Sequence, residues 1–147
     1  MDEPVLLAGR DVERTVGEAL LEPTRIYVRP IKNLLRHYPI KKRVVRGLAH
    51  ITGGGLVDNI PRILPPGCKV VLRRGSWPAS PVFDWLQKLG SIEQPEMDRV
   101  FNSGIGFVVI VSSYYAESIQ RQLEEERVPT HVIGEVREGE PGVEFCV

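Results

Sequence analysis

Apolar and polar residues along this chain repeat with two periods, and the switches between them lay out its elements. Ile31, Leu34, Leu35 and Tyr38 recur at i, i+3, i+4 and i+7, one face of a helix, with Pro30 at its start and Pro39 closing it. Val44 and Val45, then residues 47–51, make an apolar run of strand length that ends in Thr52-Gly53-Gly54-Gly55. A helix starting at Leu56 is limited by Pro61, which lacks the backbone donor and clashes with the preceding turn. Residues 69–73 read as a strand. Ser80-Pro81 reads as an N-cap followed by proline at the first helical position, Val82, Phe83, Trp85, Leu86 and Leu89 give the buried stripe, and Gly90 marks the stop.

Residues 96–101 form a short helix, and 106–111 make the clearest buried strand. Ser112 and Ser113 cap a helix over 114–126 whose inner face is Ile119 and Leu123. Strands follow over 130–136 and, at an edge, 143–147. Strands separated by helices predict an α+β (α/β layered) domain, a mixed sheet of four to five strands covered by helices. No internal repeat or linker interrupts residues 1–147, which read as one domain with a loose first dozen residues.

Composition narrows the class. The 147 residues are 42% hydrophobic and 26% charged, which excludes a disordered tail. A chain of this length buries about 68–70% of its unfolded surface, enough for a real core. No apolar run approaches the roughly 18–20 residues that span a bilayer, and the acidic start MDEPVLLAGRDVER is not that of a signal peptide. Cys68 and Cys146 are too few for a disulfide framework and lack metal-ligand spacing, and Cys68 has no base partner in view and reads as structural. The expectation is a soluble, cytoplasmic domain with no membrane contact and no metal site of its own.

The zero net charge hides an asymmetry. Between Glu22 and Asp58 there is no acid, against Arg25, Arg29, Lys32, Arg36, Lys41, Lys42, Arg43 and Arg46 with His37 and His50, whereas from Glu117 onward eight glutamates face Arg121, Arg127 and Arg137. Such a split fits either a face that meets an anion or ordinary solvated surfaces. No aromatics are interleaved for base stacking, so nucleic acid is not expected as a partner.

Candidate chemistry concentrates in the run from His50 to Leu56. A strand ending in glycines and leading into a helix brings backbone amides close to phosphate oxygens, because glycine reaches positive φ and has no Cβ to block the anion. Thr52 adds a hydroxyl. His50 can hydrogen-bond or titrate near neutral pH, or be a satisfied core histidine. The pattern is neither GxxxxGK[ST] nor GxGxxG, so a plain tight turn stays open. Arg62, just after Asn59, can reach an anion held there. In the second cluster, Glu96 is a base, a cation ligand or simply a negative charge in a first helical turn. Asn102 contacts a ligand or caps a turn, and Gly104 and Gly106 frame the entrance to the strongest strand.

Taken together and in order, EALLEPTRIYV at 18–28, HITGGGL at 50–56, NIPRILP at 59–65, SWP at 76–78, FDWLQ at 83–87, EM at 96–97 and FNSGIG at 101–106 resemble the aminoimidazole ribonucleotide synthetases, or phosphoribosylformylglycinamidine cyclo-ligases. The likeness runs from about residue 15 to Val136. It implies ATP-dependent ring closure of formylglycinamidine ribonucleotide to aminoimidazole ribonucleotide in de novo purine synthesis. ATP phosphorylates the formamide oxygen, an amidine nitrogen attacks that carbon, and phosphate leaves. Tethering supplies the nucleophile, and the protein's task is to hold phosphates and neutralise charge.

By the same resemblance His50 and Glu96 are catalytic candidates, and Thr52, Gly53, Gly54, Gly55, Asn59, Arg62, Asn102 and Gly104 bind phosphate or the phosphoribosyl substrate. ATP and Mg2+ belong mainly to a preceding domain that this sequence lacks, as it lacks a GxPSSGxHSNG motif. If the gene is split, the missing half is an expected partner, and the chain alone is expected to be inactive. Loss of the family's first strand leaves a sheet edge unpaired, which predicts a homo-oligomer. Ser103 stands where the family more often has Met or Cys, and Asp98 where it usually has Tyr. The competing classes are a non-catalytic phosphate- or nucleotide-binding module that kept the fold, and a nucleic-acid-binding domain.

Overall fold

A computed structural model describes residues 4–5, 14–78 and 80–147. Among the described residues seven strands and six α-helices follow one another as β1 (Pro4–Val5), β2 (Arg14–Thr15), α1 (Val16–Leu20), α2 (Val28–His37), β3 (Val45–His50), α3 (Gly55–Asn59), β4 (Cys68–Arg73), α4 (Pro81–Gly90), α5 (Gln94–Val100), β5 (Phe107–Val111), α6 (Ala116–Glu125), β6 (Gly134–Glu138) and β7 (Val143–Cys146). The first dozen residues, expected to be loose, lie outside the described residues apart from β1. Among the described residues no helix is long and apolar enough to cross a membrane.

The fold is α+β, and its five main strands are divided between two sheets. β3 pairs antiparallel with β5, and a separate mixed sheet has the order β6-β4-β7, with β6 antiparallel and β7 parallel to β4. The division follows from β4 having both edges taken, by Val136 and Val143 flanking Val70. β3 and β5 pair only with each other among the described residues, and a two-stranded pair needs packing against other elements to be stable.

Those two faces build two cores. Ala49 of β3 and Ile51, the residue after it, point with Val108 of β5 toward Leu56 and Ile60 near α3 and Val70 and Leu72 of β4. On the opposite face Val45, Val109 and Val111 meet Leu34 of α2 and Ile119 and Leu123 of α6. Residues 45 and 49 would share a face in an unbroken strand, and the register shift between Val45 and Gly47 is what turns Val45 to the other side. The helical stripe predicted for 31–38 is thus real, with Leu34 fully buried, but α2 begins earlier, at Val28.

Three expectations need correction. The strand predicted over 130–136 pairs only from Gly134 to Glu138. The Thr130 hydroxyl instead bonds the Val128 carbonyl in the loop, and Gly134 is where β6 closes on β4 so tightly that a Cβ would lie 2.2 Å from the Val71 carbonyl oxygen. The helix predicted from 114 opens as a 3-10 turn, Ser113–Tyr115, and neither it nor α4 has a side-chain cap from its serine. Finally, α4 runs through Gly90, and Ser91, at φ 47, takes the left-handed position that ends it.

Core truncations should separate by burial. Ile60→Ala, at a side chain with 0% exposure, should cost about 2–5 kcal/mol, whereas Val136→Ala, 42% exposed, should stay within about 0.5 kcal/mol. Urea denaturation of both variants checks this, and equal losses would contradict the two-core assignment.

Candidate functional site

β3 and β5 run antiparallel with His50 opposite Phe107, and the Ile51 amide donates to the Gly106 carbonyl at 3.0 Å. The loop leaving β3 and the loop entering β5 therefore sit at one end of the pair. The glycine loop and the Asn102-to-Gly106 segment, 47 or more residues apart in sequence, become neighbours.

The glycine loop is shaped by its own residues. Gly54 and Gly55 have φ values of 94 and 56, the left-handed region that favours glycine. The Gly55 amide bonds the Thr52 carbonyl and the Asp58 amide bonds the Gly54 carbonyl. Asn59 is buried, and its amide nitrogen donates to the carbonyls of Gly53 at 3.2 Å and Gly55 at 2.8 Å. It therefore acts through the loop, as the clamp that holds the turn. A Cβ on Gly55 would lie 2.5 Å from the carbonyl oxygens of both Asp98 and Phe101, so the loop rests directly on the end of α5. Gly53 is different: a Cβ there meets nothing within 4 Å. Among the described residues, the amides of Gly53 and Gly54 have no acceptor.

His50 is exposed, which removes the core-histidine alternative. Its ring lies 6.1 Å from Phe107 and 6.0 Å from Tyr27, two residues before the glycine loop. Gly106 is what admits Tyr27, whose hydroxyl would be 2.1 Å from a Cβ at that position. Thr52 and Arg62 are exposed beside α3, Arg62 in a 3-10 turn, Pro61–Ile63. Asn102 caps its own turn: its side-chain oxygen accepts from the Gly104 amide at 3.0 Å, with Ser103 and Gly104 both at positive φ. Trp77 fixes that turn by donating to the Ser103 carbonyl at 3.0 Å. Glu96 lies in the first turn of α5, and both its oxygens hold Arg99, at 3.0 and 2.8 Å.

Sequence reasoning missed the partner of Asp98. This carboxylate, 8% exposed, takes Arg74 in a two-pronged contact at 3.1 and 2.5 Å and accepts from Gln94 at 2.9 Å. The hydrogen bond to Asp98 raises the Arg74 guanidinium above its ordinary pKa, against an opposing effect of burial, and the Asp98 charge adds to the rise. Gln94 and Asp98 at i and i+4 were a readable signal; Arg74, 24 residues away, was not.

Among the described residues no three of His, Cys, Asp and Glu gather where a cation could sit. Among the described residues, the ion pairs Lys69–Glu144, Arg74–Asp98, Arg99–Glu96, Arg121–Glu117 and Arg137–Glu135 involve none of the cations from Arg25 to Arg46. An open concavity lined by Glu124, Arg127, Pro129, Thr130 and His131 lies where α6 ends and contains none of the nominated residues.

This arrangement of clamped glycine turn and packed sheets is that of a known domain class. Residues 3–146 match the family described as AIR synthase related protein, C-terminal domain, and the chain belongs to that family. Among its relatives, the phosphoribosylformylglycinamidine cyclo-ligase of Syntrophotalea carbinolica is 47% identical over 137 residues, 90% of this chain and 38% of that protein. The enzyme of the same name from Geobacillus thermodenitrificans is 48% identical over 130 residues, 88% of this chain and 36% of that protein. The chain thus spans little more than a third of the length of these relatives. In fold it is also like E. coli HypE, a hydrogenase maturation protein, with a TM-score of 0.61 and 23% identity over 82% of this chain and 36% of that one.

Two substitutions test the clamp. Gly55→Ala combines a left-handed alanine at about 1–2 kcal/mol with contacts that force two carbonyls apart, about 1–3 kcal/mol more. Asn59→Ala orphans two carbonyls and should cost about 1–3 kcal/mol. Gly53→Ala should be close to neutral. Thermal denaturation that ranks Gly53→Ala with the other two would contradict this geometry.

Proposed function

We propose that this chain is the substrate-side, C-terminal portion of a phosphoribosylformylglycinamidine cyclo-ligase, and that its glycine loop holds a phosphate of the ribonucleotide. The observation that carries the reading is the 47–48% identity to enzymes of that name over about nine-tenths of the chain. The reaction is ring closure of formylglycinamidine ribonucleotide to aminoimidazole ribonucleotide, a step of de novo purine biosynthesis in the cytoplasm. The γ-phosphoryl group of ATP passes to the formamide oxygen, an amidine nitrogen bonds to that carbon, and phosphate departs with the C–O electron pair while the nitrogen loses its proton.

In this reading the Gly53 and Gly54 amides and the Thr52 hydroxyl meet the phosphate oxygens, Asn59 and Gly55 hold the turn, and Arg62 and the Asn102-to-Gly104 turn border it. Preorganised backbone donors of this kind need no rearrangement when charge arrives. The cations between Arg25 and Arg46, a stretch of sequence without an acid, raise the local concentration of an anionic substrate. His50, exposed beside the loop, is the group assigned to proton transfer. Glu96 is assigned no step, since both its oxygens serve Arg99. ATP and Mg2+ are assigned to the part of the enzyme that this chain does not cover. The acids near the loop do not make a cation site: Asp98 and Glu96 are each paired with an arginine, and Asp58, beside Gly54, is a single carboxylate. The outer edges of β6 and β7 have no described partner, which favours association of copies.

Two outcomes follow. Titrating the chain with inorganic phosphate should shift the amide resonances of residues 52–56. Gly53→Val, whose Cβ meets nothing within 4 Å, should weaken that binding about tenfold or more, because the branched side chain blocks the anion's approach to the amide and costs one charge-assisted hydrogen bond of about 1.5–3 kcal/mol. An unshifted parent would refute the loop assignment. Separately, the purified chain should form no aminoimidazole ribonucleotide from ATP and substrate, and turnover near the ordinary range of ~1–10³ per second would refute the division of labour.

A further inference from the structure

We infer that the Arg74–Asp98 pair is a positioning device for the glycine loop, fixing α5 at the one setting in which the loop amides are held ready for an anion. The inference rests on the phosphate reading of that loop. Asp98 works in two directions. Its side chain binds Arg74 through both oxygens, while its main-chain carbonyl oxygen lies 2.5 Å from where a Cβ on Gly55 would be. A shift of α5 along its axis would therefore move the wall against which the loop is set.

Arg74 is itself anchored. It follows β4, its amide donates to the Cys146 carbonyl at 2.8 Å, and its guanidinium lies 4.1 Å from the centre of the Phe145 ring. The pair thus ties α5 to β4 and β7 of the three-stranded sheet. Gln94, at 2.9 Å from the same carboxylate, orients it from within α5. A buried acid is an expensive way to hold a short helix, since burying charge offsets much of what the ion pair returns. What a forked guanidinium–carboxylate contact adds over apolar packing is a single geometry, because two parallel hydrogen bonds do not tolerate sliding. Lysine has one point charge and cannot reproduce the fork.

The test uses the 147-residue chain, Arg74→Lys, and Leu123→Ala as a destabilised control in the other core. Amide hydrogen exchange is followed at Gly55 and Asp58, whose amides close the loop, and at Tyr38, whose amide ends α2 on the Leu34 carbonyl. Arg74→Lys should speed exchange at Gly55 and Asp58 tenfold or more relative to Tyr38 and weaken inorganic phosphate binding by a similar factor. Leu123→Ala, in the core against which Tyr38 packs, should speed exchange at Tyr38 at least as much as at Gly55 and Asp58 and leave the phosphate affinity at the parent value. Arg74→Lys behaving like Leu123→Ala would overturn the inference while leaving the loop reading standing. If the parent binds no phosphate, the loop reading fails, and the exchange ratio alone decides whether the pair positions the loop. Should Arg74→Lys not fold, Gln94→Ala takes its place under the same comparison, with an unchanged ratio counting against the proposal.

Discussion

The antiparallel register of β3 on β5 is the constraint on which the rest depends. With His50 opposite Phe107 and the Ile51 amide on the Gly106 carbonyl, both strands end their pairing at the same place. The loops that carry the glycines are thereby brought to one end of the pair. A slip of one residue would exchange the two faces, turning Ala49 and Ile51 away from Leu56 and Leu72 and exposing both cores at once. Burial on both faces is thus what keeps the candidate site assembled.

Around that register the loop is held by close approach more than by attraction. Gly55 packs against the carbonyls of Asp98 in α5 and of Phe101 just after it, Gly106 packs against the Tyr27 hydroxyl, and Asn59 ties the turn from within. Each of these contacts uses up polar groups or space on the inner side of the loop. The exposed side, with Gly53 and the Thr52 hydroxyl, is left for a ligand. The division between a committed inner side and a free outer side is the physical basis for reading the loop as an anion cradle.

How much of this was legible depended on sequence range. The stripe from Ile31 to Tyr38, the apolar strand at 69–73 and the strand-to-glycine switch at Thr52 are local patterns, and each is present in the fold. The splitting of the strands into two sheets was not readable. Nothing in the apolar run of β4 says that it will take β6 and β7, more than sixty residues on, in preference to β3. The start of β6 was misread because Ile133 looks like a strand residue, while the close approach that defines pairing falls at Gly134. His50 lay in an apolar run and turned out exposed, since alternation in a two-sided pair decides burial residue by residue. Asp98 stood out as a departure from a family pattern, but its meaning needed Arg74 beside it.

The central claim is the proposal that this chain supplies the substrate side of a ring-closing ligase. The most direct measurement mixes it with the separately purified part of the Syntrophotalea carbinolica enzyme that precedes the matching region, and follows aminoimidazole ribonucleotide formation from ATP and formylglycinamidine ribonucleotide. The account predicts that product appears only in the mixture and that its rate saturates with added chain. No product from the mixture, when the two parts of the relative restore each other's activity under the same conditions, would contradict it.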